Sequence, residues 1–180
     1  VKLDEKWVDT RLRTNSTSTD AEQTLTFVNE LIDEQLSVAA IHRLYTDVST
    51  TALLETLAQS FTFTDAPPID TNTLSTMDKD NCLCFIDGGL QTKWLTPRAD
   101  AFDGIRSLDS ARLEHALRDL PHTVSFQHGV TEVVEVLSHH QAKAAILIRP
   151  VSVAEIKRTA TEGILMPPKS TFFTPKLRTG

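Results

Sequence analysis

Eleven residues near the end of the chain carry the densest set of chemically useful groups: Met166-Pro167-Pro168-Lys169-Ser170-Thr171-Phe172-Phe173-Thr174-Pro175-Lys176. They hold two lysines, three hydroxyls, two aromatic rings and three prolines, and no acidic residue occurs from Ile164 to Gly180. Prolines fix φ and remove backbone donors. Lysine ammonium groups and side-chain hydroxyls supply positive charge and donors. That combination suits an oxyanion, a phosphate or a carboxylate. Lys169, Ser170, Thr171 and Lys176 are therefore the first candidate anion ligands. The Lys-Ser-Thr run is not a Walker loop. Such a loop needs glycines and a strand before it and a helix after it, whereas prolines precede this run and two phenylalanines follow it. The bland alternative is a solvated basic loop.

His42 and Arg43 are the next candidates. In an extended segment they point to opposite faces, so they reach one ligand together only where the strand ends or bulges. The structural alternative is an imidazole satisfied in the core and a guanidinium paired with an acid on the other side. His139-His140 lacks the i, i+4 spacing of helix-borne metal ligands and reads as a turn after a helix. His115, His122 and His128 form no pattern. The sequence contains no Gly-x-Ser-x-Gly, His-Glu-x-x-His or Gly-x-Gly-x-x-Gly, and no metal site is expected. Cys82 and Cys84, the two cysteines, share one face of a strand and read as small buried hydrophobes of a reducing compartment. Glu30, Asp33 and Glu34 read as a solvated acidic loop.

The elements that must position these groups follow from periodicity and turn chemistry. Residues 1–22 are polar and read as a linker or the remnant of a preceding segment. Residues 23–180 read as one α/β domain with a mixed sheet covered by amphipathic helices. Strands are expected at Thr24 to Leu31, Ser37 to Tyr45, Phe61 to Thr64, Cys82 to Ile86, Gln91 to Leu95, Thr123 to Phe126 and Lys143 to Arg149. The last of these is apolar enough for burial on both faces. Helices are expected around Leu53, Leu54 and Leu57, over Asp109 to Leu120, over Val130 to Ser138, and from Ser152 to Gly163. The final one opens on a Ser152/Glu155 capping box and closes on a glycine suited to left-handed backbone. Asp65 to Thr73 is a loop. Asp87-Gly88-Gly89 is a hairpin turn that uses glycine's tolerance of positive φ. The Pro-Pro-Lys-Ser-Thr segment is expected to be extended.

The chain has 180 residues, 40% hydrophobic, with a net charge of −6. That balance disfavours nucleic acid as the main partner. No run of eighteen apolar residues and no signal peptide are visible, so a cytoplasmic protein is expected, with no membrane partner. The chain opens on Val1 and ends straight after a basic segment, which reads as a piece of a longer protein.

The tail motif, following a strand that ends at Arg149-Pro150 and a helix that ends at Gly163, resembles the end of the domain-of-unknown-function 1015 family. Two further segments are similar to it: Thr24-Leu25-Thr26-Phe27-Val28-Asn29-Glu30-Leu31 and Leu36-Ser37-Val38-Ala39-Ala40-Ile41-His42-Arg43-Leu44. The resemblance extends from about Ala21 onward. It departs at Phe172 and Thr174, near which family members carry tyrosines. It also lacks an Asp-Gly-His-His-Arg-Tyr motif that full-length members carry just upstream of the first strand. That motif is similar to the phosphate-gripping motif of ParB-like and sulfiredoxin-like proteins, which include free serine kinases.

The resemblance implies a soluble bacterial or archaeal protein whose intact form is a nucleotide-dependent phosphotransferase. ATP or ADP with Mg would be its cofactor, and this chain alone would be inactive. Lys169 and Lys176 would then neutralise phosphate oxygens, Ser170 and Thr171 would donate to them, and His42 or Arg43 would complete the pocket. The alternative is a non-catalytic module that holds a small anion or an acidic partner through the same segment. A site that gathers the tail and the His42-Arg43 strand in one concavity favours the first; a tail standing alone on a convex surface favours the second. An uncovered edge at Thr24 to Leu31 would pair with another copy or with the remainder of the protein.

Overall fold

The computed structural model describes residues 37–174. Strand β1 (Ser37–Ala39) leads into β2 (Ile41–Thr46), then α1 (Thr50–Leu57), β3 (Phe61–Asp65), α2 (Thr73–Asp80) and the hairpin β4 (Leu83–Asp87) and β5 (Thr92–Pro97). There follow α3 (Asp109–Leu117), β6 (Thr123–His128), α4 (Val130–Ser138), β7 (Ala144–Leu147), α5 (Val153–Glu162) and β8 (Phe172–Thr174). The expected α/β architecture is present, but the sheet that was expected to be mixed is antiparallel. Six strands form one sheet in the order β3-β5-β4-β7-β2-β6, and every pairing among them is antiparallel. β1 and β8 form a separate antiparallel pair.

Strand alternation explains why helices cover both faces. Tyr45, Phe85 and Ile146 point into a core with Leu53 and Leu57 of α1 and Leu113 and Leu117 of α3. Their neighbours Leu44, Ile86, Ala145 and Leu147 point into a second core with Met77 of α2 and Val133 and Leu137 of α4. Period-2 side-chain placement requires this division. β7 sits inside the sheet with all four residues buried, and Ile146 and Ile148 are 0% and 1% exposed. An apolar run with no polar face is what a strand covered on both sides needs.

Cys82 and Cys84 are both buried and free within the second core. Burial pushes the Cys84 thiol up to about 12, and Cys82 adds to the shift. Such a thiol is inert, as a packing role implies.

Four local expectations need correction. The strand expected over Ser37 to Tyr45 is two strands in two sheets. Ala40 packs with Tyr45 in the first core, not with Leu44 in the second, so the alternation breaks there. The left-handed residue of the β4–β5 turn is Leu90, at φ 61, not a glycine. Asp87 explains how the turn closes: its Oδ1 accepts from the N–H groups of Gly89 and Gln91 at 2.8 and 2.9 Å. A Cβ at Gly88 would lie 3.3 Å from the carbonyl of Lys143, a tight contact. The Pro-Pro-Lys-Ser-Thr segment is a turn at Pro168-Lys169, with Lys169 at φ 55. Finally, the chain forms helix α2 where no element was expected. The Thr24 to Leu31 strand and the acidic Glu30, Asp33 and Glu34 lie outside the described residues.

Candidate anion site at the tail turn

Helix α5 delivers the tail. Ser152 Oγ accepts from the N–H of Glu155 at 3.2 Å, and Gly163 ends the helix at φ 64. The N–H of Ile164 bonds back to the Thr159 carbonyl at 3.2 Å, a helix stop that only left-handed backbone permits. Ile164 and Leu165 then stand 50% and 91% exposed. The turn that follows needs outside support, because prolines bring carbonyls but no N–H groups.

Arg43 supplies that support. Its Nη1 donates to the Lys169 carbonyl at 3.3 Å and its Nη2 to the Pro168 carbonyl at 3.4 Å. Nη1 also donates to the Ile41 carbonyl at 2.5 Å. The planar fork suits this role, since it presents several donors in fixed directions. The guanidinium carbon lies 4.8 Å from the ring centre of Phe126, its register partner on β6. Burial lowers the Arg43 pKa, against the opposing pull of Tyr45 and Glu114. The expected partner acid is therefore replaced by two tail carbonyls and an aromatic face. Arg43 reaches the tail, but as a brace beneath it.

His42 lies on the opposite face, 2% exposed. Its Nδ1 accepts from the backbone N–H of Ile148 at 3.2 Å. Burial, with a smaller contribution from Arg43, lowers its pKa to about 4. The ring is neutral at pH 7 and its acceptor is taken. Strand parity, already evident in sequence, thus puts His42 in the interior on the face away from the Arg43 brace.

Ser170 is buried, and its hydroxyl donates to the Pro167 carbonyl at 2.6 Å. Its oxygen also lies 3.1 Å from Ser110 Oγ of α3. A serine has one proton to give. With that proton on Pro167, Ser110 must donate to Ser170, and Ser170 has nothing left to donate to a ligand. It fixes the turn. Lys169 is exposed and Thr171 half-buried, so these two keep the role of ligand candidates. Lys176 lies outside the described residues.

Ser110 also belongs to the wall of a polar cavity of about 350 Å³ at the carboxyl end of β7. Sequence reading missed it. Its fixed feature is the Asp109–Arg149 pair. Asp109 Oδ2 accepts from the backbone N–H and Nε of Arg149, each at 2.9 Å, and Oδ1 from Nη2 at 2.6 Å. Asn81 Oδ1 accepts from Nη1 of the same guanidinium. The hydrogen bonds to Asp109 raise the Arg149 pKa. The tail turn and this cavity thus meet at the Ser110–Ser170 bond. Among the described residues, no three His, Cys, Asp or Glu side chains gather where a metal ion could be held, and no helix is long and apolar enough to cross a membrane.

Comparison with known proteins places the fold. No protein-family model matches the chain, and no curated protein matches its sequence. Solved structures do match. A conserved hypothetical protein from Pyrococcus furiosus aligns with a TM-score of 0.58 at 9% identity, over 82% of this chain and 60% of its own. A mutant free serine kinase in complex with AMP aligns with a TM-score of 0.58 at 7% identity, over 82% of this chain and 58% of its own. A free serine kinase in complex with AMP gives 0.55 at 7% identity over the same shares. The chain therefore has the fold of part of these proteins and spans about three fifths of their length.

Proposed function

We propose that this chain is the phosphate-holding part of a nucleotide-dependent phosphotransferase related to the domain-of-unknown-function 1015 family, distantly ParB-like. The observation that carries the reading is the braced tail turn, where Arg43 and Ser170 hold Lys169 exposed in a stretch that has no acidic residue. The fold shared with AMP-bound free serine kinases supports it. Phosphoryl transfer asks a protein mainly for positioning and charge stabilisation. Lys169 and Lys176 supply positive charge to phosphate oxygens, Thr171 supplies a hydroxyl, and Arg43, Ser170 and Ser110 keep the turn in shape. ADP or ATP with Mg is the ligand of the intact bacterial, cytoplasmic protein. The Asp-Gly-His-His-Arg-Tyr motif of the resembled family is absent from this sequence, so the chain alone is inactive.

A second reading has its own support. His42 is turned away with its lone pair committed to Ile148, and Arg43 spends its donors on carbonyls. A site so built also suits a regulatory module that holds an anion and does no chemistry.

Titration of ADP and of inorganic phosphate into the wild type and a Lys169→Ala, Lys176→Ala double variant tests both readings. Two lost cations should weaken binding about tenfold or more at low salt, with a smaller difference at physiological salt. Equal affinities would remove the tail from the site. Catalysis of phosphate transfer by the full-length protein, abolished in the double variant, separates enzyme from module.

A further inference from the structure

Phe126 is a large aromatic side chain left 39% exposed on β6, the terminal strand of the six-stranded sheet. His128 stands two residues on, exposed on the same face of the strand. Its ring lies 4.6 Å from that of Phe172, three residues beyond Lys169. Arg43 touches both parts: its guanidinium stacks on Phe126 and donates to the Lys169 carbonyl. The aromatic ledge and the cationic turn are thus one guanidinium apart.

We infer that the Phe126–His128 face is the seat of the base in a bound nucleotide, with its phosphate at Lys169. The inference rests on the phosphate reading of the tail turn and adds the part of the ligand that reading leaves open. Every base has a π-face, and aromatic side chains stack on it. A cation under one face of Phe126 draws on its π-density and favours an electron-rich purine on the other. The basic tail beside the ledge selects an anionic ligand, and the ledge selects one with a flat ring. A nucleoside phosphate has both within one short molecule. A protein or lipid surface would call for a broader apolar patch than two rings.

Affinities of the full chain for AMP, ribose 5-phosphate and inorganic phosphate test this. AMP should bind at least tenfold tighter than ribose 5-phosphate. Phe126→Ala should erase most of that ratio, a loss on the order of tenfold, by weakening AMP binding more than ribose 5-phosphate binding. Phe126→Leu, which preserves an apolar cover for Arg43, should lose the same ratio, and His128→Ala part of it. Equal affinity of the wild type for AMP and ribose 5-phosphate would overturn the base seat and leave the phosphate reading standing. An AMP preference that survives Phe126→Leu and His128→Ala would also overturn it. Failure of all three ligands to bind would overturn both readings.

Discussion

Asp109 receives three hydrogen bonds from Arg149, two from the guanidinium and one from the backbone N–H. The pair ties the start of α3 to the end of β7, and its side chains are 4% and 17% exposed. A carboxylate in the first turn of a helix is favoured in itself, but removal of one partner from a buried pair strands the other charge. Asp109→Ala should therefore cost about 3–5 kcal/mol. Replacing both partners with apolar residues should cost less than the two single changes combined. Urea denaturation of the four species measures the cycle; additive losses would mean that the pair does not act as a unit.

His42 makes stability fall with acid. Its folded-state pKa of about 4 lies below the ordinary value of 6.5. Above about 6.5 both states are neutral and the group has no effect. Between 6.5 and 4 the unfolded chain takes up a proton that the folded chain refuses, so folding is progressively disfavoured. Below 4 the loss levels off, at roughly 3 kcal/mol from this group. His42→Asn, whose side-chain oxygen can accept from the Ile148 N–H, should flatten the difference between pH 7 and pH 4.5 in denaturant midpoints. An unchanged pH slope in that variant would assign the acid sensitivity to other groups.

Arg43→Lys should release the tail turn while the sheet stays folded. A lysine carries the charge but cannot span the Pro168 and Lys169 carbonyls and stack on Phe126 at once. Amide hydrogen exchange across residues 170–174 should speed up severalfold in the variant, and that in β7 should not. Phosphate affinity should drop with it, although Arg43 is too committed to hold the ligand itself. Tail protection at wild-type level would show that the turn stands without its brace.

What could be read in advance follows from how local each signal is. Helix α4 matches the expected Val130 to Ser138 because its apolar positions repeat at helical spacing, and α5 because its caps are encoded at both ends. Helix α2 was missed because only Thr73 and Met77 of its eight residues are buried. It opens instead on Asp70, which accepts from the N–H of Asn72 and the hydroxyl of Thr73, a side-chain signal that periodicity does not register. At the candidate site, strand parity did separate His42 from Arg43. The tail acceptors of Arg43, by contrast, lie 125 and 126 residues away. No spacing rule reaches that far, so an acid was the natural guess for a buried guanidinium. The Asp109–Arg149 cavity was invisible for the same reason.

The hydroxyl chain from Ser110 through Ser170 to the Pro167 carbonyl gives a final expectation, because its direction is forced. Ser170 donates to Pro167 at 2.6 Å, so Ser110 donates to Ser170. Ser170→Ala leaves both the Pro167 carbonyl and the Ser110 hydroxyl without this partner, whereas Ser110→Ala removes only a donor to Ser170. The first should therefore cost more, about 1–3 kcal/mol against roughly 1 for the second. The two serines touch, so the double variant should lose less than the two single losses added together. Ser170→Ala should also lower phosphate affinity by loosening the turn that presents Lys169, and Ser110→Ala should do so more weakly. Denaturation and phosphate titration on the same three variants check the order. A Ser110→Ala variant that proved the more damaging in both would show that the turn does not rest on the Ser170–Pro167 bond.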